Sequence, residues 1–127
     1  MTNIEDFQNY MKKNYQEITI YENSVKQLRK DVEQLKRIFH FKNTLNLLSA
    51  KEKTEIKEII SLVDKEINKA LVNMVFIEEL SEKIIKKERI TKSEFDMLNS
   101  IVELAPSMEA MSSKIEKFVN SHKKSAK

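Results

Sequence analysis

The sequence contains no glycine, no cysteine and no tryptophan, and it has one proline among 127 residues. Glycine supplies the positive backbone angles of tight hairpins, strand bulges and phosphate-binding loops. Its absence therefore argues against short-turned sheets and against Rossmann or P-loop nucleotide sites. The absence of cysteine excludes disulfides, thiolate nucleophiles and cysteine-ligated metal centres. Together these absences predict an all-helical protein that carries no cofactor.

The residues that usually carry catalysis are also sparse. The two histidines, His40 and His122, are far apart in the sequence, and neither stands near a carboxylate at the spacing of metal ligands on a helix. The serines lack the glycine-bearing turn that exposes a nucleophile in hydrolases. We therefore expect no metal site and no catalytic residue, and we predict that the chain is not an enzyme.

Long apolar runs and a strong charge imbalance are absent as well. The 23 basic residues face 20 acidic ones, and the resulting net charge of +3 does not by itself indicate nucleic-acid binding. The longest nearly apolar stretch, residues 70–77, is far shorter than the roughly 20 residues that span a bilayer. No basic start followed by an apolar run marks a leader. We predict a cytoplasmic protein that does not contact a membrane.

A seven-residue apolar repeat is the strongest pattern present. Its members alternate by three and four residues, as a helix that packs along one stripe requires. We call this stripe the seam, and it consists of Ile4, Phe7, Met11, Asn14, Ile18, Tyr21, Val25, Leu28, Val32, Leu35 and Phe39. The β-branched residues at Ile18, Val25 and Val32 favour two-stranded packing. Asn14 is the polar exception, and it either selects register or partner or marks a solvated start of the helix.

Capping signals predict where the helices begin and end. Ser49 and Thr91 each stand three residues before a glutamate, which is the spacing of a capping box, and Asn43 is a candidate left-handed stop. We predict helices over residues 3–43, 50–88 and 92–120. Strand-favouring residues over 17–24 leave open whether the first helix breaks there. The third helix should be kinked or split at Pro106, because proline removes a backbone hydrogen bond and clashes with the preceding turn.

These elements predict an elongated antiparallel three-helix bundle with coiled-coil-like heptad packing, one domain over residues 1–120 and a flexible basic tail over 121–127. At 1.5 Å per residue the first helix would be about 60 Å long and the third about 45 Å. The start of the first helix, from Ile4 to Tyr21, should then project with a bare seam. We expect a homodimer or a protein partner to cover it, with contacts from Ile4, Phe7, Met11, Asn14, Ile18, Tyr21, Val25 and Leu28.

The stretch from Ala70 to Ile77 is apolar nearly all the way round its helix, so it must be covered on several sides. One interpretation places it in the middle of the bundle core. The other makes part of it, with Met108 and Met111, a soft apolar surface that a partner covers.

Two function classes follow from these patterns. The first is a non-enzymatic protein-interaction module, a small helical regulator, inhibitor or accessory subunit that binds a larger protein and self-associates. The alternative is a nucleic-acid-associated accessory protein that uses basic helix corners, although acidic residues interleave with the basic ones. The candidate nucleic-acid contacts are Lys36, Arg37, Lys83, Lys86 and Lys87.

Overall fold

The structure, a computed structural model, describes residues 4–124, apart from the side chains of Ile4 and Lys124. These residues form four α-helices and contain no strand, so the prediction of an all-helical chain is confirmed. The helices are α1 Ile4–Lys13, α2 Tyr15–Thr44, α3 Ala50–Ile85 and α4 Lys92–Lys124. The prediction of three helices is not confirmed, because the first predicted helix is divided.

The division between α1 and α2 lies at Asn14. This residue has φ −105° and ψ 16°, which departs from helical geometry. Both its backbone N–H and its side-chain Nδ2 donate to the carbonyl oxygen of Tyr10, each at 3.0 Å. A short amide side chain that competes for a backbone acceptor is a recognised cause of helix interruption. Residues 17–24, where the sequence left a break open, lie inside α2.

Both predicted capping boxes are present at helix starts. The Ser49 hydroxyl accepts a 3.1 Å hydrogen bond from the Glu52 amide, and the Ser49 amide donates to Glu52 Oε1 at 3.0 Å. Thr91 and Glu94 make the same reciprocal pair at 3.1 and 3.0 Å. Each pair satisfies two of the backbone donors that a helix start leaves without partners.

The helix ends differ from the prediction. Asn43 is not the left-handed stop of α2, because Asn46 takes that conformation at φ 56°. The amide of Leu47 then bonds back to the carbonyl of Lys42 at 2.9 Å, which is the Schellman arrangement. The end of α3 repeats it around Lys87, at φ 58°. Without any glycine, an asparagine and a lysine fill the two left-handed positions.

α4 continues through Pro106 without splitting, and it extends to Lys124 instead of ending near residue 120. Pro106 is exposed, so its ring does not disturb the core. Part of the predicted flexible tail is therefore helical, since Ser121 and His122 belong to α4. Residues 125–127 lie outside the described residues.

α2 is the central helix. It packs extensively on α4 and less on α3, whereas α3 and α4 touch little. α4 runs parallel to α1 and α2, because Tyr10 reaches Asn99 near one end and Lys42 reaches His122 near the other. α3 runs antiparallel to α2. The buried seam residues of α1 and α2 are Phe7, Ile18, Tyr21, Val25, Leu28, Val32 and Leu35.

Candidate functional site

The prediction that the seam projects bare is wrong. Phe7 is 0% exposed and packs edge-on against Phe95 of α4, with ring centroids 6.1 Å apart. Tyr10 lies 4.6 Å from the same ring, and its hydroxyl donates to Asn99 Oδ1 at 2.5 Å. The seam is covered because α4 begins beside α1 and then packs along α2.

The other predicted partner-binding residues follow the same pattern. Ile18, Tyr21, Val25 and Leu28 are buried within the single chain, while Met11 and Asn14 are half-buried. The Ile4 side chain lies outside the described residues. A partner therefore cannot reach most of the seam while the protein is folded.

An apolar surface that includes two of the predicted partner-binding residues, Met11 and Ile18, is open to solvent. A groove of about 940 Å³ lies between the α1–α2 junction and the second half of α3. One wall carries residues at helical spacing from Met11 to Lys26, and the other runs from Leu71 to Ser81. The lining residues are Met11, Lys12, Tyr15, Ile18, Glu22, Lys26, Leu71, Met74, Val75, Ile77, Glu78 and Ser81.

The groove has a packed floor and exposed walls. Ile18 and Ile77 at the floor are 5% and 6% exposed, so they belong to the core. Tyr15 and Val75 on opposite walls are 70% and 53% exposed. Large apolar side chains exposed together along a concave surface are typical of a binding site.

The rim of the groove is charged. Lys12, Glu22 and Lys26 follow one another along the α1–α2 wall, and Glu78 stands on the α3 wall. Lys12, Lys26 and Glu78 are exposed, and Glu22 is half-buried. An apolar centre with a charged rim is the general anatomy of a protein interface.

The sequence left open whether the apolar stretch 70–77 lies in the core or on an apolar surface, and the structure shows that it does both. Ala70 and Ile77 are core residues, whereas Leu71, Met74 and Val75 line the groove. Met108 and Met111 do not join that surface. They line a separate cavity of about 170 Å³ beside Tyr21 and Asn73, between α3 and α4.

The basic corners are partly neutralised within the chain. Lys36 Nζ lies 3.2 Å from Asp64 and 3.5 Å from Glu33, and the hydrogen bond to Asp64 raises the pKa of Lys36. Lys83 Nζ lies 2.6 Å from Glu94 Oε2.

Arg37, Lys86 and Lys87 are exposed. Lys36 is paired with Asp64 of α3. Lys83 lies about 19 residues beyond Asp64 on the same helix, which is roughly 28 Å. The five candidate residues thus form two separate corners, and each corner has one lysine that is already paired.

Sequence patterns missed most of the groove. Tyr15 and Val75 could have been noticed, because both are large apolar residues outside the heptad positions. The place of Lys12 and Glu78 on the rim of the groove could not have been predicted, because it depends on how α3 lies beside α2.

Among residues 4–124, no three His, Asp or Glu side chains are grouped so that they could hold a metal ion. Within the same residues, no helix combines the length and apolar character needed to cross a membrane. Comparison with protein-family models, with curated proteins and with solved structures finds no match to this chain.

Proposed function

We propose that this protein is a non-enzymatic interaction module, a small helical regulator, inhibitor or accessory subunit that binds a larger protein in the groove between α2 and α3. The observation that carries the proposal is the exposure of Tyr15 and Val75 on facing walls above a packed floor. Covering such walls removes apolar surface from water, which is the main driving force of protein association.

The groove is suited to binding without unfolding the core. Its floor residues, Ile18 and Ile77, keep their packing whether or not the groove is filled. Met11 and Met74 on the walls are half-buried and unbranched, so they can adapt to the shape of an incoming side chain. The homodimer predicted from the seam is not part of this proposal, because the seam is buried in one chain.

Two substitutions at exposed positions of α3 test the proposal. Val75→Glu places a charge on the groove wall, and Leu62→Glu places one on an exposed part of α3 outside the groove. We expect affinity capture from a cell extract to retain the same protein with the native chain and with Leu62→Glu, and to lose it with Val75→Glu. Equal retention by both variants, or no specific protein with the native chain, would contradict the proposal.

The nucleic-acid alternative has one observation in its favour. Lys26, Arg29, Lys30 and Arg37 form an exposed stripe on α2 around a shallow depression that also includes Glu33. Such a stripe could follow a phosphate backbone. The interaction-module proposal expects no tight complex with DNA or RNA at about 150 mM salt, where weak electrostatic contacts are screened.

Fluorescence polarisation with labelled single- and double-stranded probes measures this directly. The matched variant reverses Arg29, Lys30 and Arg37 to Glu, and it leaves the paired residues Lys36 and Lys83 untouched. A salt-sensitive complex that the reversals abolish would favour the alternative. Unchanged weak binding would count against it.

A further inference from the structure

The order of charges along the groove restricts what can fill it. Tyr21 of α2 is level with Asn73 of α3, because the two side chains are joined by a 2.9 Å hydrogen bond. Glu78 lies beyond Asn73 on the antiparallel helix, so it falls between the levels of Lys12 and Glu22. From one end to the other the rim therefore presents Lys12, Glu78, Glu22 and Lys26: positive, negative, negative, positive.

This order is the same from either end, and that opposes contact with a second copy aligned over the full length of the groove. A second copy laid along the groove, in either direction, would bring lysine to lysine and glutamate to glutamate. Like charges brought together across an interface oppose association. The complementary occupant carries negative charge at both ends and positive charge in the middle.

The shape of the groove indicates a helix. Its α1–α2 wall extends from Met11 to Lys26, which is about 15 residues or roughly 22 Å. Two antiparallel helices with an apolar valley between them are the surface on which a further helix packs in bundles. An amphipathic helix of about four turns matches this length and presents one apolar face to the valley.

We propose that the occupant is one amphipathic α-helix of a partner protein, about 15 residues long, with an apolar stripe, basic side chains at its centre and acidic side chains at both ends. The inference rests on the function proposed above and specifies the partner of the same groove. Central lysines or arginines of the partner lie between Glu22 and Glu78, and its terminal carboxylates lie beside Lys12 and Lys26.

Two designed peptides test the inference. Both are stapled helices of about 18 residues with the same leucine stripe and the same net charge of about zero. The first has glutamates at the ends and lysines at the centre, and the second has the reverse. We expect fluorescence polarisation to give a Kd about tenfold lower for the first peptide, which a few exposed ion pairs and the matching repulsions can supply.

A charge swap in the protein provides the matched control. The double variant Glu22→Lys and Glu78→Lys makes all four rim positions positive, so it should bind the two peptides with about equal affinity, while Val75→Glu should weaken both. Circular dichroism checks that each variant keeps the native helix content. Equal affinity of the two peptides for the native protein, or an unchanged preference in the double variant, would overturn the inference.

Failure of the inference can be told apart from failure of the proposed function. If neither peptide binds but capture of a protein still depends on Val75, the groove is a docking site and the helix inference is wrong. If sedimentation shows a dimer that Val75→Glu dissociates, the occupant is a second copy and the inference is also wrong. If no binding depends on Val75, both proposals fall.

Discussion

Asn73 Nδ2 donates a 2.9 Å hydrogen bond to the hydroxyl oxygen of Tyr21, which joins α3 to α2 from within a largely apolar interface. Tyr21 is 1% exposed, and burial raises the pKa of its hydroxyl. Sliding of the helices would have a cost, because the buried Tyr21 hydroxyl would then lose its partner. The pair therefore contributes, with the apolar packing and the Lys36–Asp64 ion pair, to the relative height of the two helices that sets the order of charges along the groove.

Removing the Tyr21 hydroxyl should weaken the fold measurably. We expect Tyr21→Phe to lower the free energy of unfolding by about 1 kcal/mol, since Asn73 loses its acceptor. Urea denaturation of Tyr21→Phe, Asn73→Leu and the double variant measures the coupling between the two residues. Strictly additive losses would show that the hydrogen bond does not contribute to stability.

Core and groove positions of α3 should respond differently to truncation. Leu80 is 1% exposed, so Leu80→Ala should cost about 2 to 5 kcal/mol. Val75 is 53% exposed, so Val75→Ala should change stability by less than about 0.5 kcal/mol. Leu71→Ala and Met74→Ala should fall between these limits, because both residues are half-buried. Thermal melts rank the four variants, and a large loss for Val75→Ala would place that side chain in the core.

Stability should fall in mild acid through Glu94. The hydrogen bond from Lys83 lowers the pKa of this carboxyl, against the raising effect of burial, and the bonds from Thr91 lower it further. The folded protein therefore binds this proton less tightly than the unfolded chain does. Its contribution is complete above the ordinary pKa of 4.5 and is lost as pH falls through the lower folded value.

Melting temperatures recorded from neutral pH to about pH 3 test this acid effect. Glu94→Gln should lose stability at neutral pH and should show a smaller further loss in acid than the native protein. Glu55→Gln, at an exposed position of α3, serves as the control for removing one carboxylate. A native-like acid response in Glu94→Gln would rule out this contribution.

The left-handed residue after α3 offers a stabilising substitution. Lys87 has φ 58°, where a side chain with a β-carbon is strained and glycine is not. We expect Lys87→Gly to raise the free energy of unfolding by about 0.5 to 1 kcal/mol. The neighbouring Lys86 has φ −81°, so Lys86→Gly should instead lower it by a similar amount. If the two substitutions changed the free energy of unfolding in the same direction, the backbone explanation would be contradicted.

Features that depend on neighbouring residues were predictable from the sequence. The capping boxes at Ser49 and Thr91 need only a hydroxyl and a glutamate three residues later, and both are present. The seam from Phe7 to Leu35 needs only the helical period, and most of its members are buried. These signals are local because each is completed within one or two helical turns.

Small competing effects were harder to predict even within one helix. The interruption lies at Asn14 and the left-handed stop at Asn46, although 17–24 and Asn43 carried comparable signals. α4 passes through Pro106 because an exposed proline loses one backbone hydrogen bond while the apolar face on either side remains packed. Differences of about 1 kcal/mol choose between such alternatives, and tertiary packing supplies them.

The groove and the burial of the seam depend on residues distant in the chain. Phe7 is covered by Phe95, and Tyr21 meets Asn73, in each case across more than fifty positions. Periodicity identifies an apolar face, but it contains no information about which other face will cover it. α4 covers the seam, and the space beside α2 and α3 stays open because α3 and α4 touch little. Chain-distant packing therefore buried most of the predicted self-association surface and left an open groove beside it, which the seam residues Met11 and Ile18 also line.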